Sequence, residues 1–320
     1  MLPIKIELPE HFLDEEVRDG IIVTKEKKEV WAVQIDLFCE FKRICDKYNL
    51  RYWADAGTLL GSVRHGGYIP WDDDMDFSMF RDDYEKFLEV CKYEIRSPYF
   101  VQTSTTDLGY HYAGIRFMNT ATTCIARKDL DKDLSCKQGI FIDILPLDYL
   151  PDDEVIGKRT RINYFKEMEI MRKTFYSVYL ATVGYDEHNR RFAVPNLLLQ
   201  TVIEQSGLDP KCLMRDLSVK CDNYYKRYHD LSNSKFMIMN YIIGWRFRRK
   251  YLTEWFNSFE QFKFEFVYMS IPVCYDKILT ERYGDWRTPV KDASIHGKLI
   301  FDCHTSYTDF NKSSYYETDR

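Results

Sequence analysis

The 320 residues are 45% hydrophobic and 16% aromatic, enough for a sizeable core in one large domain or two. Forty-five Lys and Arg against 50 Asp and Glu leave a formal charge of -5, which excludes nucleic acid or anionic lipid drawn in by net charge alone, so a bound anion must be held locally. Nine cysteines without a C-x-x-C pair, mostly in apolar stretches, read as reduced core residues and not as a zinc site or disulfide framework.

The opening MLPIKIELPEHFLDEE carries charges and two prolines where a secretory signal needs an unbroken apolar run. No stretch of 18 apolar residues follows, so the expectation is a cytoplasmic protein without a transmembrane helix. After an N-terminal extension over 1–29, Val30, Val33, Leu37, Phe38, Phe41, Ile44 and Tyr48 recur at three- and four-residue steps and predict a helix. Aromatic-rich Leu50–Asp55 predicts a short strand running into a turn at Gly57, with a helix starting at Thr58. Gly66, Gly67 and Pro70 break the chain before Asp72-Asp-Asp-Met-Asp-Phe77, whose alternation suits a strand. Asp82 with Glu85 reads as a capping pair for a helix buried through Tyr84, Phe87, Leu88, Cys91 and Ile95. Strands are expected near 112–117 and 139–145.

Beyond Pro151 the pattern becomes helical, as in Leu213, Leu217, Cys221, Tyr224 and Tyr228. The expected organisation is a mixed α and β core over 30–150, a mainly helical region over 151–304 completing the same domain, and a polar tail over 305–320 that frays at its end. The fold class is α+β.

Aspartate has low β-propensity and neighbouring like charges repel, so the segment 72–76 needs compensation. If side chains alternate, Asp72, Asp74 and Asp76 project to one side while Met75 and Phe77 enter the core. Convergent carboxylates suit a hard cation, Mg²⁺ or Mn²⁺. A solvated acidic loop is the plain alternative, against which Trp71, Met75, Phe77 and Met79 argue by interleaving. A calcium loop fails, with Phe77 where Gly is needed and Asp83 where Glu is needed. Asp143 stands alone in an apolar strand, where a carboxylate costs several kcal/mol unless paired. It is either a third metal ligand or half of a salt bridge with an arginine. Gly57 and Thr58 put a turn before a helix start, where backbone amides can hold phosphate, although a plain turn has the same signature. Arg64 and His65, between turn and acids, are phosphate contacts or ordinary surface groups.

Tyr52-Trp-Ala-Asp-Ala-Gly-Thr-Leu-Leu-Gly-Ser-Val-Arg-His65, followed by Gly67-Tyr-Ile-Pro-Trp-Asp-Asp-Asp-Met-Asp76, resembles the LicD family, which includes bacterial phosphocholine transferases and the fukutin-related proteins. The likeness continues through Tyr84-Glu-Lys-Phe87, Gly139–Asp148, Phe264-Glu-Phe, Pro272, Tyr275-Asp276 and Tyr283-Gly-Asp-Trp286, and is loose over about 155–245. It implies a nucleotidyltransferase-like mixed sheet with flanking helices, here with a mainly helical C-terminal half. It implies Gly57 and Thr58 at the phosphates, Asp74 and Asp76 as the metal pair, Asp143 as third ligand, and Asp72 as a further acid that binds metal or accepts a proton; the position of Arg64 and His65 between turn and acids favours phosphate contacts for them. Asp73 is left outside the chemistry by parity.

The implied reaction moves a phospho-alcohol from a CDP-linked donor to a hydroxyl of a cell-surface glycan or its lipid-linked precursor, releasing CMP, with Arg64, Arg116 or Lys137 supplementing the cation. Nucleotidyl transfer from an NTP is the alternative chemistry. A non-catalytic glycan- or membrane-binding module is the third reading, for which Tyr241–Tyr251 offers a basic-aromatic surface for peripheral membrane contact; a helix with a solvated cationic face is the plainer one. The sequence leaves the alcohol, acceptor sugar and oligomeric state open.

Overall fold

The computed structural model describes residues 1–110, 114–127, 130, 136–150, 156, 158–182, 197–228, 234–239, 250–290 and 299–311. The elements in chain order are β1 (Glu16–Arg18), β2 (Ile21–Val23), α1 (Lys25–Tyr48), β3 (Tyr52–Ala54), α2 (Ala56–Arg64), β4 (Asp76–Phe80), α3 (Arg81–Glu94), β5 (Tyr99–Gln102), β6 (Ile115–Asn119), β7 (Thr123–Ala126) and β8 (Ile140–Leu150). They continue with α4 (Lys158–Thr182), α5 (Leu197–Ser206), α6 (Pro210–Tyr225), β9 (Phe236–Met239), β10 (Lys250–Leu252), β11 (Phe259–Phe264), β12 (Val267–Pro272), α7 (Tyr275–Tyr283) and β13 (Leu299–Asp302). This is an α+β fold with a mixed sheet.

The chain divides into two compact units, the first comprising Met1–Gln102, Ile115–Ile144 and Ser258–Arg320. Its central sheet has the order β5-β6-β8-β4-β3, with β3 antiparallel to β4 and β6 antiparallel to both neighbours. Helix α1 starts five residues before the predicted Val30, because Thr24 Oγ1 accepts the Lys27 N–H and the polar first turn carries no apolar period. Asn49 in the left-handed conformation ends it. Between Val30 and Phe38 every side chain is buried, so the helix has no solvated face there. Phe38 stacks on Phe77 at 5.0 Å, and Phe41 meets Tyr52 and Phe87 edge-on at 4.9 and 5.1 Å.

Helix α3 corrects the expected capping pair. Phe80 occupies the cap position without a side-chain bond, and Asp82 and Asp83 lie in the first turn, where their charge suits the helix's positive end. The first residues are not a free extension. Asp36 Oδ1 accepts the Lys5 and Ile6 N–H groups at 2.7 and 3.1 Å, and Asn119 donates to the Pro3 carbonyl at 2.7 Å. The start of the polar tail is likewise docked: Thr123 donates to the Thr305 carbonyl, and the Tyr307 N–H to the Thr122 carbonyl.

The second unit comprises Thr103–Gly114 and Leu145–Asn257. Helices α4, α5 and α6 enclose a core of Tyr164, Met168, Phe175, Ile203, Met214 and Cys221. The periodic Leu213, Leu217, Tyr224 and Tyr228 pack at its rim, because the fully buried stripe of α6 runs through Met214, Cys221 and Tyr225. Strand β9, absent from the sequence reading, pairs with the Leu147–Leu150 end of β8 and with β10. Residues 112 and 113 of the expected strand and 241–249 of the basic-aromatic segment lie outside the described residues. Among the described residues, no helix is long and apolar enough to cross a membrane.

Candidate active site

The site lies in the first unit, where β3 delivers the chain to α2 and a loop returns it to β4. Asp55 caps α2 through Oδ1, which accepts the Ala56 N–H at 2.7 Å, while Oδ2 accepts the Ser78 hydroxyl at 2.8 Å. Ala56 has φ of 46°, a left-handed conformation that costs a non-glycine residue about 1–3 kcal/mol and persists only where its surroundings hold it. The next residue is Gly57, where a Cβ would overlap Asp72 Oδ2. Thr58 is buried, and its Oγ1 accepts the Asp76 N–H at 2.8 Å. The glycine turn therefore stands directly against the acidic segment.

Strand β4 begins at Asp76, so Asp72, Asp73 and Asp74 lie in an extended loop and the alternation expected from a strand does not apply to them. Like-charge repulsion and low β-propensity account for the late strand start. One carboxylate oxygen from each of Asp72, Asp73 and Asp74 falls within 4.8 Å of the others, so Asp73, set aside by parity, joins the group. Burial pushes the Asp74 carboxyl well above its ordinary range, and Asp76, Asp72, Asp73 and Asp143 push it further. Asp74 keeps a solvent-facing surface although protein crowds it on most sides. Asp143 reaches the cluster from β8, its N–H donating to the Met75 carbonyl at 2.9 Å. It also pairs with Arg116 across the β6–β8 ladder at 3.5 Å, so a basic partner and proximity to the acids coexist.

Such a set fits a hard divalent cation. Its donors are oxygens only, and a dication relieves the mutual repulsion that, after burial, raises the Asp74 carboxyl.

Three residues of α1 support the loop, and the sequence reading passed over all three. Lys27 Nζ donates to the Pro70 carbonyl at 2.7 Å; burial lowers its pKa, opposed by Asp73 and Asp72. Trp31 stacks on Tyr68 at 4.5 Å. Gln34 donates to the Asp73 carbonyl at 2.8 Å and accepts the Tyr68 hydroxyl at 2.9 Å. These positions hide inside a helix whose apolar period draws attention elsewhere. On the opposite side, Glu265, in the turn between β11 and β12, accepts the Tyr68 N–H at 3.0 Å and both terminal nitrogens of Arg18. Its own N–H donates to the Gly66 carbonyl at 2.8 Å.

The expected phosphate contacts are engaged elsewhere. Arg64 donates to the Trp286 carbonyl at 2.8 Å, and burial lowers its pKa. His65 lies 3.0 Å from Asp19 and edge-on to Trp71, with its pKa lowered by burial and by Arg64. Lys137 sits 4.4 Å over the Phe100 ring, and Arg116 3.9 Å over Phe141.

The mixed sheet thus sets a cluster of aspartates against a glycine turn at a helix start. Residues 49–183 match the family described as LicD/FKTN/FKRP, nucleotidyltransferase domain, so this segment is similar to a LicD-type domain. It is similar to the lipopolysaccharide cholinephosphotransferase LicD of Haemophilus influenzae, with 32% identity over 129 residues, 40% of this chain and 47% of that protein. It is also similar to the ribitol 5-phosphate transferases FKRP of Mus musculus and Homo sapiens, with 42% identity over 40 residues, 12% of this chain and 8% of each. The chain thus spans less than half the length of these relatives. Both kinds of relative are transferases of phospho-alcohol groups.

Proposed function

We propose that this protein is a metal-dependent phosphotransferase that moves a phospho-alcohol from a CDP-linked donor to a hydroxyl of a cell-surface glycan or its lipid-linked precursor, releasing CMP. The observation that carries the reading is the convergence of Asp72, Asp73 and Asp74 beside the Gly57 turn, with Asp76 and Asp143 near enough to raise the Asp74 carboxyl. The transfers named for the LicD and FKRP relatives support the choice of a phospho-alcohol as the group moved.

The acceptor oxygen bonds to the phosphorus that carries the alcohol, the bond from that phosphorus to the CMP oxygen breaks, and CMP leaves with its electron pair. The acceptor's proton passes to a carboxylate of the cluster, a role we assign to Asp72 in this proposal. Asp72, Asp73 and Asp74, with Asp76 and Asp143 near them, would hold Mg²⁺ or Mn²⁺, which would supply charge neutralisation at the donor's diphosphate. The first-turn amides of α2 at Gly57 and Thr58 face the donor's phosphate as hydrogen-bond donors.

Purified protein is incubated with Mg²⁺ and CDP-choline, CDP-ribitol, CDP-glycerol or CTP, each with candidate glycans, and the nucleotide product is identified. CMP from one of the CDP-alcohols is expected. Pyrophosphate from CTP, with no CMP from any CDP-alcohol, would establish nucleotidyl transfer instead.

A further inference from the structure

Arg282 lies on α7, 227 residues from Asp55 and beyond the 49–183 segment that matches the family, yet it ends at the start of α2. Its Nη1 donates to Asp55 Oδ1 at 2.6 Å, with side-chain exposures of only 3% and 4%. Asp55 thus accepts three groups from three directions: the Ala56 N–H, the Ser78 hydroxyl and the Arg282 guanidinium. The Asp55 N–H in turn donates to the Asp76 carbonyl at 2.9 Å.

We propose that Asp55 and Arg282 are positioning residues of the phosphotransfer site, a buried ion pair that holds the left-handed Ala56 turn and so sets Gly57 and Thr58 against the acidic loop. The inference rests on the function proposed above. A carboxylate bonded to the N–H of its own neighbour fixes the peptide that must turn, and Arg282 fixes that carboxylate. The turn then determines where Gly57 meets Asp72 and where Thr58 receives the Asp76 N–H. A neutral or shorter partner at 282 leaves Asp55 free to rotate, and Ala56 relaxes out of its left-handed conformation. The same C-terminal segment holds the far end of α2, since Arg64 donates to the Trp286 carbonyl. The catalytic geometry of the family-matched segment therefore depends on residues outside it.

The test compares Arg282→Met, Arg282→Lys and Asp55→Asn with the wild type and with Phe87→Leu, a core change that destabilises without touching the site. Melting temperature is read by circular dichroism. Below the lowest melting temperature, Mn²⁺ affinity is read by electron paramagnetic resonance, and kcat and KM from CMP release. The expected result is a fall in kcat of about 100-fold in Arg282→Met and Asp55→Asn, with donor KM little changed. Mn²⁺ binding weakens several-fold, and Arg282→Lys recovers part of both losses. Folded Arg282→Met that matches Phe87→Leu in kcat and Mn²⁺ affinity would show the pair to be merely structural. Wild type that binds no Mn²⁺ would overturn the metal reading and this inference together. Wild type that binds it, with every variant unchanged, would overturn this inference alone.

Discussion

Asp72 Oδ2 lies against the Cα of Gly57 so closely that no side chain fits between them. Gly57→Ala must therefore displace either the first turn of α2 or the acidic loop. The predicted result is a folded protein with kcat reduced about 100-fold and stability reduced by about 1–3 kcal/mol, read from CMP release and urea denaturation. Full activity in Gly57→Ala would mean that the spacing between turn and acid is immaterial to the chemistry.

Asp74 gives a dependence on pH. Its folded pKa is raised above the ordinary 3.8 by burial and by Asp76, Asp72, Asp73 and Asp143. From pH 3.8 up to that folded value the folded chain holds more proton than the unfolded one, so this group's contribution to metal-free stability falls as pH rises. Asp74→Asn cannot ionise and escapes the penalty. In EDTA, the melting temperature of Asp74→Asn relative to wild type should rise from pH 5 to pH 8. A relative melting temperature that falls over that range would contradict the assigned crowding.

The support from α1 is testable at Gln34. Gln34→Leu removes the bond to the Asp73 carbonyl and strands the buried Tyr68 hydroxyl, at about 1–3 kcal/mol for that hydroxyl. Urea denaturation should show the loss, and Tyr68→Phe added to Gln34→Leu should recover part of it. Strict additivity of the two changes would show that the bridge carries no energy.

Much of this site was legible in the sequence, and the physical reasons for the remainder are specific. The acids of 72–76, the glycine turn and Asp143 stand out because they violate local preferences: too much like charge for a strand, and a carboxylate in an apolar run. The long apolar period of α1 revealed its helix but hid its support of the loop, since Lys27 and Gln34 fall outside the stripe. Parity placed Asp73 away from the other acids because it presumes a strand, and the strand begins only at Asp76. Asp55 and Arg282 were unreadable as a pair, because nothing in a sequence joins residues 227 positions apart without the fold. Phe264-Glu-Phe carried part of the family resemblance, and the structure supplies its physics: Glu265 ties Arg18 to the Gly66–Tyr68 backbone.

That tie gives a prediction of its own. Glu265→Ala leaves Arg18 with Glu16 alone and releases the Tyr68 N–H. The expected cost is about 3 kcal/mol, the low end for breaking a buried pair, because Glu16 still partners Arg18. Glu265→Gln, which still accepts the Tyr68 N–H, should lose less. Denaturation midpoints of the two variants check the order, and equal losses would place the whole effect in the charge.

The most direct test of the central claim is CMP release from the CDP-alcohol panel by wild type and by Asp74→Ala, each with Mg²⁺ and with EDTA. Turnover is expected from wild type with Mg²⁺ only, restored when Mg²⁺ is added back in excess of EDTA, with a loss of at least about 100-fold in folded Asp74→Ala. Undiminished CMP release by wild type in EDTA, or by Asp74→Ala with Mg²⁺, would contradict it.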